Sequence, residues 1–246
     1  MKKSNILSIA FAICASYAFA SVQTDIETAN KAGKVVFLTV TETGNPDNVA
    51  AKKLAAEAQK LYPKSAVIEM NRADKVNENL VTKYRLAGAP VPLILVVASN
   101  GVVAGGANFK QTTAENLVAM IPSLKKADVL KAINDGKSVF IVVSKKSMKK
   151  KDVLSKCEVA CAEMKDNAKI VEVDFDDATE KNFLNELKIT AIGDTPQTFV
   201  INSQGQIAGS FSDVTDSKTL VATATKKPAG GCCPPGSKKS CGPTKK

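Results

Sequence analysis

The stretch DIETANKAGKVVFLTVT, residues 25–41, returns as DVLKAINDGKSVFIVVS, residues 128–144. Gly33-Lys34 falls on Gly136-Lys137 and Phe37 on Phe140, all at a displacement of 103 residues. The register holds downstream: SAVIEMNRAD from Ser65 lies over AKIVEVDFDD from Ala168, with Glu69 opposite Glu172 and Asp74 opposite Asp177. After one residue of slippage, VPLILVVASNGVVAG lies over TPQTFVINSQGQIAG, which puts Pro92 on Pro196 and Gly101 on Gly205. A repeat of about a hundred residues is the size of a domain, so the chain reads as two copies of one unit.

Within each copy the apolar pattern gives the elements. VVFLTV and SVFIVV are unbroken apolar runs rich in β-branched residues, as strands buried on both faces require. DNVAAKKLAAEAQKLY carries Val49, Leu54, Ala58 and Leu61 at helical spacing behind an Asn-Pro-Asp start, and KKKDVLSKCEVACAEMKD is its counterpart. A second strand and a short helix follow (NENLVTKYRL; EKNFLNELKI). Next come a proline-headed strand, a turn at Ser99-Asn100-Gly101 or Ser203-Gln204-Gly205, a last strand and a closing helix (TAENLVAMI; SKTLVATA). The expected fold class is α/β: in each copy a central mixed sheet flanked by helices, three layers deep.

This element order, with Ala-Pro-Val-Pro or Asp-Thr-Pro heading the third strand and an Asn-Gly or Gln-Gly turn after it, resembles the thioredoxin-like fold. The resemblance covers about residues 24–121 and 127–224, nearly all of the chain between its two ends. It implies a cis proline in each copy, with the residue before it offering backbone groups to an extended peptide or thiol substrate. Val91, Pro92, Thr195 and Pro196 are therefore the candidate peptide-binding residues. Two ordinary trans prolines opening edge strands are the alternative. The family's Cys-x-x-Cys belongs between the first strand and its helix, where a helix N-terminus stabilises thiolate. Here those junctions read TETGNPDN, residues 41–48, and SKKSMKKKD, residues 144–152, and neither holds a cysteine. Dithiol exchange at the family site is excluded. The lysines of the second junction are either a solvated face or an attractor of anions.

Thiols occur elsewhere. Cys157 and Cys161 are four apart, on one helical face with Met164. This face reads as an apolar stripe with Val153, Leu154 and Ala160, as a redox pair, or as a soft Cu(I) ligand set. Cys232, Cys233 and Cys241 lie in a tail, residues 226–246, rich in Lys, Gly and Pro and expected to be disordered. Lysine neighbours favour thiolate there, so these three are the candidate catalytic thiols for thiol–disulfide exchange. The expected function is thiol-redox work through these tail cysteines; the alternatives are a non-catalytic, chaperone-like peptide-binding module, Cu(I) or Zn binding by the same thiols, and an incidental disulfide.

The first twenty residues read as an export signal: Lys2 and Lys3, a short apolar run, and Ala18-Phe19-Ala20 before Ser21. The expected layout is a signal at 1–20, domains at 21–124 and 125–225, and the tail, in a periplasmic or secreted protein with no transmembrane segment once the signal is removed. Export permits disulfides. Five cysteines remain after Cys14 leaves with the signal, an odd number, so at least one thiol is free, metal-bound or paired with another molecule. Histidine is absent, which excludes catalytic triads and His-based zinc sites. The formal charge is +10, but two units leave with the signal and six lysines sit in the tail, so the body is near +2. Protein or peptide clients and an anionic envelope surface are the expected partners. Nucleic acid is not, because no aromatic stacking residues accompany the lysines.

Overall fold

A computed structural model of the protein describes residues 21–226. Residues 1–20, read above as an export signal, and Cys232, Cys233 and Cys241 lie outside the described residues. The first copy runs α1 (Val22–Lys31), β1 (Val35–Thr41), α2 (Asn48–Leu61), β2 (Ser65–Asn71), α3 (Glu78–Lys83), β3 (Leu93–Val97), β4 (Val103–Asn108) and α4 (Ala114–Ala119). The second runs α5 (Leu124–Asn134), β5 (Ser138–Ser144), α6 (Lys151–Glu163), β6 (Ala168–Asp174), α7 (Lys181–Glu186), β7 (Gln197–Ile201), β8 (Ile207–Ser212) and α8 (Ser217–Ala224).

The sheets are ordered β2-β1-β3-β4 and β6-β5-β7-β8. β1 pairs with β2 in parallel and with β3 antiparallel, β3 pairs antiparallel with β4, and the second sheet repeats every pairing. The ladder irregularity repeats as well, between Val96 and Val97 and between Val200 and Ile201. Two tandem mixed sheets with a proline-headed third strand are the thioredoxin-like α/β fold.

β1 and β5 are buried along their whole length because both faces are covered. Val36, Leu38 and Val40 face α1 and α3, whereas Val35 and Phe37 face α2 and α4. Val139, Ile141 and Val143 pack with α5 and α7, and Phe140 and Val142 with α6 and α8. The repeated Gly-Lys has a plain cause. Gly33 and Gly136 follow α1 and α5 at φ 70° and 75°, a conformation that costs glycine nothing. It lets Gly33 N–H donate to Asn30 O and Lys34 N–H to Ala29 O, with Gly136 and Lys137 doing the same.

One expected helix face is corrected. Val49 and Leu61 point outward, 72% and 52% exposed, and the buried face of α2 is Ala51, Ala55 and Ala58, with Leu54 half-buried beside them. Small side chains let α2 lie close on the sheet, so the packing stripe is the alanine row.

Ser123 caps α5, the first helix of the second copy, by accepting from Lys126 N–H. Its hydroxyl donates to Glu180 Oε2 at 2.5 Å, and Lys125 N–H donates to Glu180 Oε1 at 3.1 Å. Glu180 is 3% exposed. A buried carboxylate is tolerable only with such donors.

Candidate functional site

At the first junction the chain closes on itself. Asn48 Nδ2 donates to Glu42 O and Asp47 N–H to Asn45 Oδ1, which folds the loop tightly after β1. Asn45 Nδ2 then donates across the junction to Val91 O at 3.2 Å. Val91–Pro92 is cis. The carbonyl before the proline, which the fold resemblance assigns to an incoming peptide, is held by the protein's own amide. Arg72, at the end of β2, donates to Leu86 O and Ala89 O through one guanidinium nitrogen and to both oxygens of Glu42 through the other. It ties the loop that carries Pro92 to the junction. Neither Asn45 nor Arg72 stood out in the sequence. The available signal was the choice of arginine: only Arg72 and Arg85 interrupt an otherwise all-lysine set of 34 basic residues. Arginine's planar fork suits a site where one side chain must bridge several acceptors.

The second junction is built differently. Thr195–Pro196 is trans, contrary to what the resemblance implies, and Val91–Pro92 is the only cis bond among the described residues. Pro196 O accepts from Asp213 N–H at 2.9 Å, which draws the proline into an extension of the β7–β8 ladder. The residue matching Asn45 is Met148, which has no N–H to offer in its side chain; its sulfur instead accepts from Lys145 N–H at 3.4 Å. Thr195 is exposed, and among the described residues its backbone groups have no hydrogen-bond partner.

The charges at the two junctions are opposite. In the first copy Glu42, Asp47 and Glu69 cluster there, each paired: with Arg72 at 3.1 Å, Lys110 at 2.6 Å and Lys52 at 3.2 Å. In the second, lysine stands at the positions of Glu42 and Asp47, as Lys145 and Lys150. Lys150 pairs with Glu172 at 2.6 Å and Lys146 with Asp174 at 3.8 Å. Lys145 lies over the Phe175 ring at 5.8 Å, where the first copy has the Glu42–Arg72 pair. A cavity of about 430 Å³ opens among these lysines, floored by Ser144 and Val173. Beyond it, hydrogen bonds from Thr179 hold the Asp177 carboxyl low, with Lys146 and Lys125 adding to the effect.

Cys157 and Cys161 lie on the sheet-facing side of α6, in the cluster of Phe140, Val142, Val200 and Leu220. Cys157 is fully buried, Cys161 and Met164 half-buried, and both thiols are free. Burial pushes the Cys157 thiol up to about 11, against a smaller downward pull from the Thr198 hydroxyl. Cys161 is also raised, by burial first and then by Asp166 and Glu158. Both shifts suppress thiolate, the form that attacks disulfides and binds soft metals. Among the described residues no three Cys, Asp or Glu side chains gather as a metal-ligand group. No helix among them is long and apolar enough to cross a membrane.

A further cavity, about 340 Å³, lies where α1 and the β3–β4 turn meet α5. Asn30 Oδ1, Tyr84 Oη and Asn100 Nδ2, all from residues lining it, are buried without a hydrogen-bond partner. Burial raises the Tyr84 pKa.

No family model and no curated protein matches the chain. Several solved structures are similar to it. The first two thioredoxin domains of Saccharomyces cerevisiae Eps1p share 11% identity over 83% of this chain and 96% of that one, at a TM-score of 0.31. The NTD_N/C domain of alkylhydroperoxide reductase AhpF from Enterococcus faecalis shares 11% over 82% and 98%, at 0.26. The zinc-bound form of human ERp44 shares 13% over 81% of this chain and 57% of that one, at 0.34. The thioredoxin-like assignment stands on the strand order and polarity of the two sheets rather than on these likenesses.

Proposed function

We propose that this protein is an exported, non-catalytic binding protein, in which the tandem thioredoxin-like domains hold a protein or peptide client. The observation that carries this reading is the state of the two family sites. Neither junction has a thiol, the first is closed by Asn45 on Val91 O, and the second leaves the Thr195 backbone without a partner. Unpaired backbone groups beside a strand are what a peptide adding itself to the sheet requires. The client therefore docks on the second copy, at the Thr195 backbone beside Pro196, and the Val91–Pro92 side serves as structure. The reading of residues 1–20 as a signal supports a periplasmic or secreted location, with the lysine-rich tail resting on anionic envelope surfaces.

A second reading has its own support. Cys157 and Cys161 are pushed away from thiolate, so thiol exchange or Cu(I)/Zn binding would fall to Cys232, Cys233 and Cys241 among their lysines. The experiment compares the mature protein with Thr195→Pro, which deletes the backbone N–H of that residue, and with a Cys232→Ser/Cys233→Ser/Cys241→Ser variant. Binding of an extended peptide library is read by fluorescence anisotropy, and mixed-disulfide formation with glutathione disulfide by mass. Peptide binding should weaken at least ~10-fold in Thr195→Pro and survive the triple substitution. Binding indifferent to Thr195→Pro, together with disulfide exchange or bound metal lost in the triple variant, would sink the binding reading in favour of tail chemistry.

A further inference from the structure

We infer that the cavity at the end of β5 is a binding site for a phosphate group, built by Ser144, Lys125 and Lys145. Two observations made independently converge on it. The first is charge. Lys125, Lys145, Lys146 and Lys150 line the cavity against two carboxylates, Glu172 and Asp174. Those two acids are taken by Lys150 and Lys146, so Lys125 and Lys145 have no carboxylate partner among the described residues. Stacking on Phe175 leaves the charge of Lys145 intact.

The second observation is a hydroxyl. Ser144 is 5% exposed and lines the cavity, and its side chain has no hydrogen-bond partner among the described residues. The residue at its place in the first copy, Thr41, donates to Glu69 Oε1 at 3.2 Å and to Met70 O at 3.4 Å. Glu172, which matches Glu69, pairs with Lys150 as Glu69 pairs with Lys52, but it makes no bond to Ser144. A hydroxyl open to the cavity beside two lysines outside any ion pair is a donor placed for an acceptor. A phosphate monoester offers close to two negative charges and three strong acceptor oxygens, which matches two cations and one donor. The cavity volume of about 430 Å³ leaves space for a small organic remainder. This inference goes beyond the client-binding reading and does not depend on it, since none of its residues is Thr195 or Pro196.

The test uses the mature full-length protein at low salt, titrated calorimetrically with inorganic phosphate and with glycerol 3-phosphate, and mixed with phosphatidic-acid vesicles for flotation. Ser144→Ala should weaken phosphate binding ~10-fold or more, and Lys125→Ala and Lys145→Ala each ~5-fold or more. Lys149→Ala removes the same charge from outside the cavity lining and should change affinity less than ~2-fold. Saturable binding of glycerol 3-phosphate that vesicles do not reproduce assigns a soluble phosphate ester. Vesicle binding that glycerol 3-phosphate displaces and Lys125→Ala weakens assigns a lipid headgroup; both outcomes support the site. It is overturned if Lys149→Ala costs as much as Lys125→Ala, if Ser144→Ala leaves affinity unchanged, or if none of the three probes binds by about 10 mM phosphate.

Discussion

Alkylation of Cys157 in the native protein should be slower than in the unfolded chain by far more than ionisation explains. Its pKa moves from an ordinary 9.0 to about 11. That shift alone leaves about a hundredfold less thiolate at neutral pH, which is the smallest protection expected. The thiol is also fully buried between α6 and the sheet, so reagent reaches it only when α6 lifts away. If that opening is the global one, about 5 kcal/mol of stability corresponds to a protection of ~10³–10⁴. The assay is timed iodoacetamide labelling, then denaturation, digestion and mass spectrometry. Trypsin releases residues 157–165 as one peptide holding both α6 thiols, and fragment ions separate Cys157 from Cys161. Cys161 is half-buried, so it should label faster than Cys157 and slower than in urea. Protection of Cys157 should vanish across the same urea range as the far-ultraviolet dichroism. Labelling of native Cys157 within a factor of ten of the unfolded rate would refute the packing and reopen Cys157 and Cys161 as a working thiol pair.

Three further outcomes follow from buried groups. Tyr84→Phe removes a hydroxyl that is buried without a partner, so it should raise Tm by roughly 2–4 °C, about 1 kcal/mol, and a fall in Tm would mean that the hydroxyl is bonded in solution. Glu180→Ala strips the acceptor from Ser123 Oγ and Lys125 N–H and should cost about 2–4 kcal/mol in urea unfolding; a loss under ~0.5 kcal/mol would show that the start of α5 does not rest on it. Alkali should destabilise the protein. Cys157 is raised on folding, so its contribution is fully present below the unfolded thiol pKa near 9 and is lost as pH climbs towards 11, about 2–3 kcal/mol in all. Cys161 and Tyr84 act in the same direction. The urea midpoint should therefore fall between pH 8 and 10.5, and fall less in Cys157→Ala; an identical pH dependence in that variant removes Cys157 as the cause.

The fold was legible because its signals are local or repeated. Apolar runs at β1 and β5, the Gly-Lys helix ends and the proline-headed strands each occur twice, and a pattern that recurs at 103 residues is hard to produce by chance. The phase of α2 was not legible. Val49 and Leu61 carry more apolar surface than Ala51 and Ala55, yet close approach to the sheet selects the smaller side chains. Nor does X-Pro sequence set the isomer: Val91–Pro92 and Thr195–Pro196 differ in what tertiary structure does around them. The contacts that separate the two junctions join residues far apart in sequence. Asn45 meets Val91, Arg72 meets Glu42 and Ala89, and Lys150 meets Glu172. A run of lysines looks the same on paper whether water or a cavity faces it.

The duplication also explains how one chain can hold two unlike sites on one frame. Arg72 N–H donates to Thr41 O at 2.9 Å and Phe175 N–H donates to Ser144 O at 3.0 Å, so the main chain at the end of each central strand is the same. Above that shared bond the side chains invert: Glu42 with Arg72 in one copy, Lys145 with Phe175 in the other. The parallel ladders that hold the two strand ends run the full seven residues in both copies, so sheet geometry does not depend on which pair is present. Side chains at these positions are therefore free to change sign without loss of fold. In the first copy they close the junction by pairing every carboxylate internally. In the second, two lysines and one hydroxyl are left over, and groups the fold does not use are the ones available to a ligand.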